Sequence, residues 1–350
     1  MRQTRSASLS LLLTAALWLG ACTSDNPDAN LNPPGTDDMS VQPQPDDGGA
    51  TQPDMTTANP DQGGPVGDVN TECTKLATAI CTRLSTCSAW ALRYYYGDLK
   101  GCVARVQLTC APYVNLTGSS WTVDRLRSCT AAYTSGTCGD YFDPAGPAAC
   151  RPQPGKLANG VACANSNQCQ SGFCTAALNS CGTCAVPAKS GEACSATKLC
   201  GLGLSCAGGK CAPYGAVGAA CGNNLAPCAT NLYCKTNVCA AQLAAGDTCN
   251  AASTVTECNP IQGLFCNGAT RKCEAYKLAT ATEACGTVMA STVLCDTGGY
   301  CTGTGAANRK CAPAAKEGQP CGPTSAGESC QDPAVCTGAK CAVFNPSTCK

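Results

Sequence analysis

The sequence has no histidine among its 350 residues. That excludes Ser-His-Asp and Cys-His nucleophile pairs, histidine-based zinc catalysis and imidazole proton shuttles. Aromatic residues make up only 5% and charged residues 13%, so few large side chains can fill a core. Basic and acidic residues balance at 23 each, and no overall positive charge points to nucleic acid. No apolar run reaches the ~18–20 residues of a membrane-spanning helix. What the chain has is cysteine, 35 residues or one in ten, the density of a disulfide scaffold rather than of an ordinary enzyme.

The N-terminus reads as an address. Arg2 and Arg5 precede a short apolar stretch from Leu9 to Leu19, the layout of an export signal. It ends in Leu19-Gly20-Ala21-Cys22, which resembles the lipobox of bacterial lipoproteins. The resemblance implies removal of residues 1–21, lipidation of Cys22, and anchoring in the cell envelope, at the outer membrane or cell surface. Without Cys22, 34 cysteines remain, an even number, as full pairing requires.

Residues 22–70 form the second segment. Thr23 to Asn70 holds nine aspartates, eight prolines and six glycines, with no lysine, arginine, cysteine or aromatic residue. Such a composition buries too little apolar surface to offset ordering entropy, so a disordered acidic tether is expected. Its aspartates lack the spacing of a calcium loop. The tether carries nine negative charges, whereas residues 71–350 hold 21 basic and 14 acidic side chains.

Residues 71–150 read as a helical domain with eight cysteines: Cys73, Cys81, Cys87, Cys102, Cys110, Cys129, Cys138 and Cys150. Cys73, Leu76, Ala77, Ile80, Cys81 and Leu84 share one helix face, with Thr71 as the expected cap. Cys102, Val103, Val106 and Cys110 mark a second helix. Ser119 or Ser120 is the expected cap of a third, which carries Val123, Leu126 and Cys129. Asp140-Tyr-Phe-Asp143 reads as a loop. In an exported chain these cysteines are structural staples.

Residues 151–350 are a cysteine repeat with little else to build a core. Six four-cysteine units occur: 163, 169, 174, 184; 194, 200, 206, 211; 221, 228, 234, 239; 249, 258, 266, 273; 285, 295, 301, 311; and 321, 330, 336, 341. A glycine stands three residues before the first cysteine of every unit except the fifth, where Thr282 replaces it. Cys206-Ala-Gly-Gly-Lys-Cys211 and Cys336-Thr-Gly-Ala-Lys-Cys341 read as tight hairpins. Phe173, Tyr233, Phe265 and Tyr300 precede third cysteines and are expected to plug their units. Cys181 and Cys349 are left over, and Cys150 can pair forward into the first unit. The expected fold class is therefore small and disulfide-rich: a tether, a helical eight-cysteine domain, then tandem β-hairpin modules.

Cys163, Cys169, Cys174, Cys181, Cys184, Cys194, Cys200, Cys206 and Cys211 follow C-x5-C-x4-C-x6-C-x2-C-x9-C-x5-C-x5-C-x4-C. This spacing resembles the Dickkopf N-terminal cysteine-rich domain, with one cysteine of that family's adjacent pair missing after Cys200. The resemblance implies a small disulfide-knotted β fold over 163–211 and carries no receptor-binding residues. The whole layout is similar to cysteine-rich surface lipoproteins of myxobacteria, a family that implies no activity.

No metal, cofactor or catalytic residue is expected. Cys181-x2-Cys184 is the only zinc-knuckle spacing and lacks the strand–helix setting of a redox motif. The expected function is non-enzymatic: a lipid-anchored surface binding or adhesion protein with a protein or polysaccharide ligand. A structural envelope or matrix component and a protease-inhibitor-like module are the alternatives. Trp90, Tyr94, Tyr95 and Tyr96 form the densest aromatic cluster. Consecutive tyrosines on a helix fan through about 200°, so at least one ring is expected at the surface as a binding contact.

Overall fold

The computed structural model describes residues 68–177, 179–253, 255–288, 291–303, 309–322 and 330–350. The export signal, Cys22 and the tether up to residue 67 lie outside the described residues. No described helix is long and apolar enough to cross a membrane.

Five helices build the first body: α1 (Val69–Cys87), α2 (Ala89–Tyr96), α3 (Leu99–Val114), α4 (Val123–Ser135) and α5 (Cys138–Phe142). The α1 face buries Cys73, Leu76, Ala77, Ile80, Cys81 and Leu84. Its cap is Asp68 rather than Thr71, because the Asp68 carboxylate accepts from the amides of Asn70 and Thr71. The α4 cap is Thr122, which accepts from Arg125 N. Ser119 and Ser120 are engaged elsewhere, with Trp121 N and with the Gln153 carbonyl. The segment Cys138–Phe142 is a one-turn helix, not a loop. Thr137 and Asp140 exchange side-chain and backbone hydrogen bonds in a capping box.

Four disulfides staple this hub. Cys73–Cys110 and Cys81–Cys102 join α1 to α3, and Cys87–Cys138 joins α1 to α5. Cys129–Cys150 ties α4 to the 3-10 turn Ala148–Cys150, so Cys150 pairs backward and not into the first repeat. Leu126, Tyr133, Tyr141 and Phe142 complete the core, with Tyr141 and Phe142 edge-to-face at 4.9 Å.

The repeats share one covalent rule. In all six, the first cysteine bonds the third and the second bonds the fourth. The segment 163–211 is thus two of these units, each with its own pair of bridges. Among its described residues, the first repeat holds the two-residue strands β1 (Ala162–Cys163) and β2 (Gly182–Thr183). Hairpins follow in the other repeats: β3 (Leu204–Ala207) with β4 (Lys210–Pro213), β5 (Leu232–Lys235) with β6 (Val238–Ala241), and β7 (Leu264–Asn267) with β8 (Lys272–Ala275). The fifth repeat adds a sheet of β9 (Lys277–Ala279), β10 (Gly286–Val288) and β11 (Ser291–Cys295) to the hairpin of β12 (Tyr300–Thr302) and β13 (Lys310–Ala312). The sixth ends in β14 (Ala334–Thr337) and β15 (Lys340–Val343).

In each of the five hairpins the third and fourth cysteines are directly opposite, as in Cys206 and Cys211. Each then bonds away from its neighbour, so two bridges clamp the hairpin to the preceding chain. The turn before each unit needs a left-handed residue. Gly191 has φ +83°, and its amide donates to the Cys211 carbonyl. Thr282 keeps both features, with φ +75° and a bond to the Cys311 carbonyl. Phe173 and Tyr233 are buried, while Phe265 and Tyr300 are half-buried. The lysines before the fourth cysteines, among them Lys210 and Lys340, are exposed.

One bridge breaks the within-unit rule. Cys181 of the first repeat bonds Cys349, 168 residues later. The end of the array therefore returns to its beginning. Extensive pairing of this kind belongs to an oxidising, extracytoplasmic setting.

Candidate functional site

The aromatic cluster of α2 is the first place to look, and the repeats occupy it. Trp90 stacks on Tyr94 with ring centres 4.9 Å apart and 9° between planes. Gly263 of the fourth repeat lies under the Trp90 ring, so closely that a Cβ there would overlap it. Tyr276 packs on the same indole at 6.1 Å. In the fifth repeat, Thr297 N donates to Arg93 O and Gly298 N to Tyr94 O. Asp296 lies 3.7 Å from the Arg93 guanidinium. Tyr95 and Tyr96 are 7% and 3% exposed, and Tyr94 is half-buried.

Of the expected contacts, Tyr95 and Tyr96 are buried, while Trp90 and Tyr94 keep part of their surface. The hub core packs on the cluster from one side and sequence-remote repeats from the other. Cys87 and Ser88, at the α1–α2 junction, are held the same way. The Ser88 hydroxyl donates to the Ile261 carbonyl, and Gln262 Nε2 donates to Cys87 O at 3.0 Å. Ile261 joins the hub core.

Two more interfaces add to the attachment. Asn167 of the first repeat is fully buried. Its side-chain oxygen accepts from Arg125 Nη1 at 2.8 Å and Gln153 N at 3.2 Å. Its carbonyl accepts from Ser120 N. The Arg125 guanidinium also lies 4.0 Å from the Trp121 ring centre, and burial pushes its pKa down to about 10. In the sixth repeat, Arg105 of α3 pairs with Glu317 and donates to the carbonyls of Gln331 and Asp332.

Asp332 is the chemically unusual group. Burial lifts its carboxyl to about 6, against the opposing pull of Arg105 and the Tyr96 hydroxyl. Burial, with Asp332 next in strength, holds the Tyr96 hydroxyl well above its ordinary range. Glu317 is drawn below its usual value, mainly by its bond to Arg105. These groups form a seam between two bodies.

The cysteine candidates Cys73, Cys81, Cys87, Cys102, Cys110, Cys129, Cys138, Cys150, Cys163, Cys169, Cys174, Cys181, Cys184, Cys194, Cys200, Cys206 and Cys211 all lie in disulfides. The triplets of sulfur atoms that cluster within 4.8 Å, such as Cys163, Cys169 and Cys184, each contain a bonded pair. Their sulfur lone pairs are those of disulfides, not of thiolate ligands.

A different surface is open. Between the first and second repeats lies a groove of about 590 Å3, lined by Val186, Pro187, Lys189, Gly201 and Leu204 among others. No aromatic or acidic side chain lines it. Val186 is 64% and the neighbouring Leu202 38% exposed. Gly203, in the same turn, has open space where a side chain would stand. Val161 and Val217 add apolar surface in the adjoining segments. Sequence reading missed this region because isolated valines and leucines in a cysteine repeat look like unit filling.

No protein-family model, curated protein or solved structure matches this chain.

Proposed function

We propose that this protein is a non-enzymatic surface binding or adhesion protein, held in the cell envelope by lipid on Cys22. The observation that carries the reading is the groove between the first two repeats. It is apolar, open and mounted on two disulfide-clamped units, one of which is fixed to the hub through Asn167. Ligand sites are concave, largely apolar and preformed. A rigid scaffold lowers the ordering cost of binding.

The perturbed groups Asp332, Tyr96 and Arg125 support this reading over an enzyme, because they are committed to the seams between hub and repeats. The array returns to its start through Cys181–Cys349. That return weighs against an extended envelope spacer, which gains reach only if its ends are far apart. The likeness to myxobacterial surface lipoproteins and the Dickkopf-like spacing of 163–211 remain part of the proposal and rest on the sequence alone.

The test uses the mature chain with Cys22→Ser, fluorescently labelled and titrated onto intact cells of the producing organism. Saturable binding that unlabelled protein displaces supports the reading. Linear, undisplaceable uptake overturns it.

A further inference from the structure

The bridge from Cys181 to Cys349 differs from the others in what it holds. Each repeat has two bridges of its own, with partners 11–17 residues apart. When one opens, the second keeps the freed sulfurs close, so the bond re-forms readily. Cys181 and Cys349 share no unit. Besides their own bond, noncovalent contacts keep them together. The last 3-10 turn, Pro346–Thr348, packs on α3. Arg105 of α3 bonds Glu317 and the carbonyls of Gln331 and Asp332. The first repeat is fixed to the hub elsewhere, through Asn167 and through Lys156 N, which donates to Gly118 O at 2.9 Å.

The bridge is also reachable. Among the described bridges, only Cys181–Cys349 and Cys194–Cys206 contain no buried cysteine. In both, one partner is exposed and the other half-buried. Cys194–Cys206 lies inside the second repeat, where Cys200–Cys211 keeps the unit closed. Cys181 has a fixed position at the surface. It directly precedes β2, where Gly182 lies so close to the Ala176 backbone that a Cβ would overlap it. On its other side, Ser180 N donates to Ala177 O. Disulfides that are exposed are the labile ones, and this one has no second bridge to hold its thiols together.

We propose that Cys181–Cys349 is a redox clasp, opened by a dithiol reductant ahead of the other described bridges, and that its opening frees the sixth repeat from α3 and from the first repeat. The step is a thiol–disulfide exchange. One thiolate of the dithiol attacks the exposed Cys181 Sγ. The Cys181–Cys349 bond breaks, a mixed disulfide forms on Cys181, and Cys349 leaves as a thiolate that takes up a proton. The second thiolate of the dithiol then attacks its own sulfur in the mixed disulfide. Cys181 leaves and is protonated, and the dithiol ends as a disulfide. Two electrons have passed from the dithiol to the clasp. The repeats keep their own bridges and their fold. Arg105, 7% exposed in the closed chain, loses its partners in the sixth repeat and comes to the surface. The clasp does not depend on the proposed binding function.

The test equilibrates the mature Cys22→Ser chain in reduced and oxidised dithiothreitol at graded ratios. Acid quench, alkylation and peptide mass mapping then identify the opened cysteines. Cys181 and Cys349 are expected to label together at a ratio roughly tenfold below that of any other pair, a separation of about 30 mV. At that ratio, amide hydrogen exchange is expected to rise at Gln331 and in α3 and to stay unchanged in α1. Oxidised dithiothreitol restores the starting state. Cys181→Ser with Cys349→Ser is expected to show the raised exchange without reductant. Glu317→Gln removes the charge that Arg105 holds at the seam. It is expected to lower the ratio that opens the clasp roughly threefold and to leave Cys194–Cys206 unaffected.

Earlier or simultaneous labelling of Cys194 and Cys206, or one transition for all bridges, overturns the proposal. Labelling of the clasp with no change at Gln331 and in α3 overturns it too, because the bridge then holds nothing in place. An unchanged ratio in Glu317→Gln does the same, since the seam and the bridge then do not act on one attachment.

Discussion

The Cα atoms of Cys181 and Cys349 lie 5.3 Å apart across 168 residues of sequence. Between them the chain passes from the first repeat to the end of the sixth. On the way it touches α2 through Gly263 and Gly298 and α3 through Gln331 and Asp332. The final 3-10 turn, Pro346–Thr348, also packs on α3. Cys181 is exposed and Cys349 half-buried. The bond therefore contributes closure more than core.

Replacing both residues, Cys181→Ser with Cys349→Ser, is expected to lower stability by roughly 2–4 kcal/mol in the chain-entropy picture. The repeats keep their own bridges, so the loss falls on attachment of the last repeat. Hydrogen exchange is expected to rise first around Gln331 and in α3. Unchanged thermal midpoint and exchange in the double variant contradict this.

Thr282 is a β-branched residue at φ +75°, where the other repeats use glycine. Left-handed backbone costs an L-residue roughly 1–2 kcal/mol, while glycine adds unfolded-state entropy of about 0.4–1 kcal/mol. Thr282→Gly is therefore expected to stabilise the fifth repeat by about 0.5–1 kcal/mol. A urea midpoint equal to or below wild type runs against the argument.

Gly263→Ala forces a methyl group into the Trp90 ring and leaves alanine at φ +67°. A cost of roughly 2–4 kcal/mol follows from overpacking plus backbone strain. The fourth repeat is expected to lift from α2 with its bridges Cys249–Cys266 and Cys258–Cys273 intact. Red-shifted tryptophan emission at unchanged disulfide content is the signature. An unshifted spectrum and stability argue that Trp90 does not need this seat.

The Asp332 carboxyl sits at about 6 in the folded chain against an ordinary 3.8. The native state thus holds this proton more tightly than the unfolded chain. Between about pH 4 and pH 6, stability from this group falls as pH rises, and the full penalty is present above 6. Glu317, Glu72 and Asp140 have lowered values and act in the opposite sense, so the comparison needs a variant. Asp332→Asn is expected to be more stable than wild type by on the order of 1–3 kcal/mol near neutral pH and to lose that advantage near pH 4. A difference that does not vary with pH removes the buried carboxyl as its source.

Lipidation is tested at the other end of the chain. Metabolic palmitate labelling is expected in wild type and absent in Cys22→Ala. Equal labelling of the two, or none in wild type, contradicts the lipobox reading.

Much of the local structure was legible because it is periodic. The 3.6-residue spacing from Cys73 to Leu84 marks the buried face of α1, and Cys206-Ala-Gly-Gly-Lys-Cys211 is the tight turn that joins β3 to β4. Caps were less legible. Asp68, Thr71, Ser119, Ser120 and Thr122 are all competent caps, and the choice turns on which amide each oxygen can reach.

Sequence alone thus determined the units: a helical body with cysteines on its inner faces, then six clamped modules with turns that demand left-handed residues. These depend on spacing within a few tens of residues. Only the tertiary structure decided that Cys150 turns back to Cys129, that Cys181 waits for Cys349, and that Tyr95 and Tyr96 lie beneath the repeats. The reason is physical. An exposed helix face and a buried one have the same sequence until the segment that covers it is known. Here Gly263 and Gly298, which help cover α2, lie more than 150 residues away, with no side chain of their own to announce the contact.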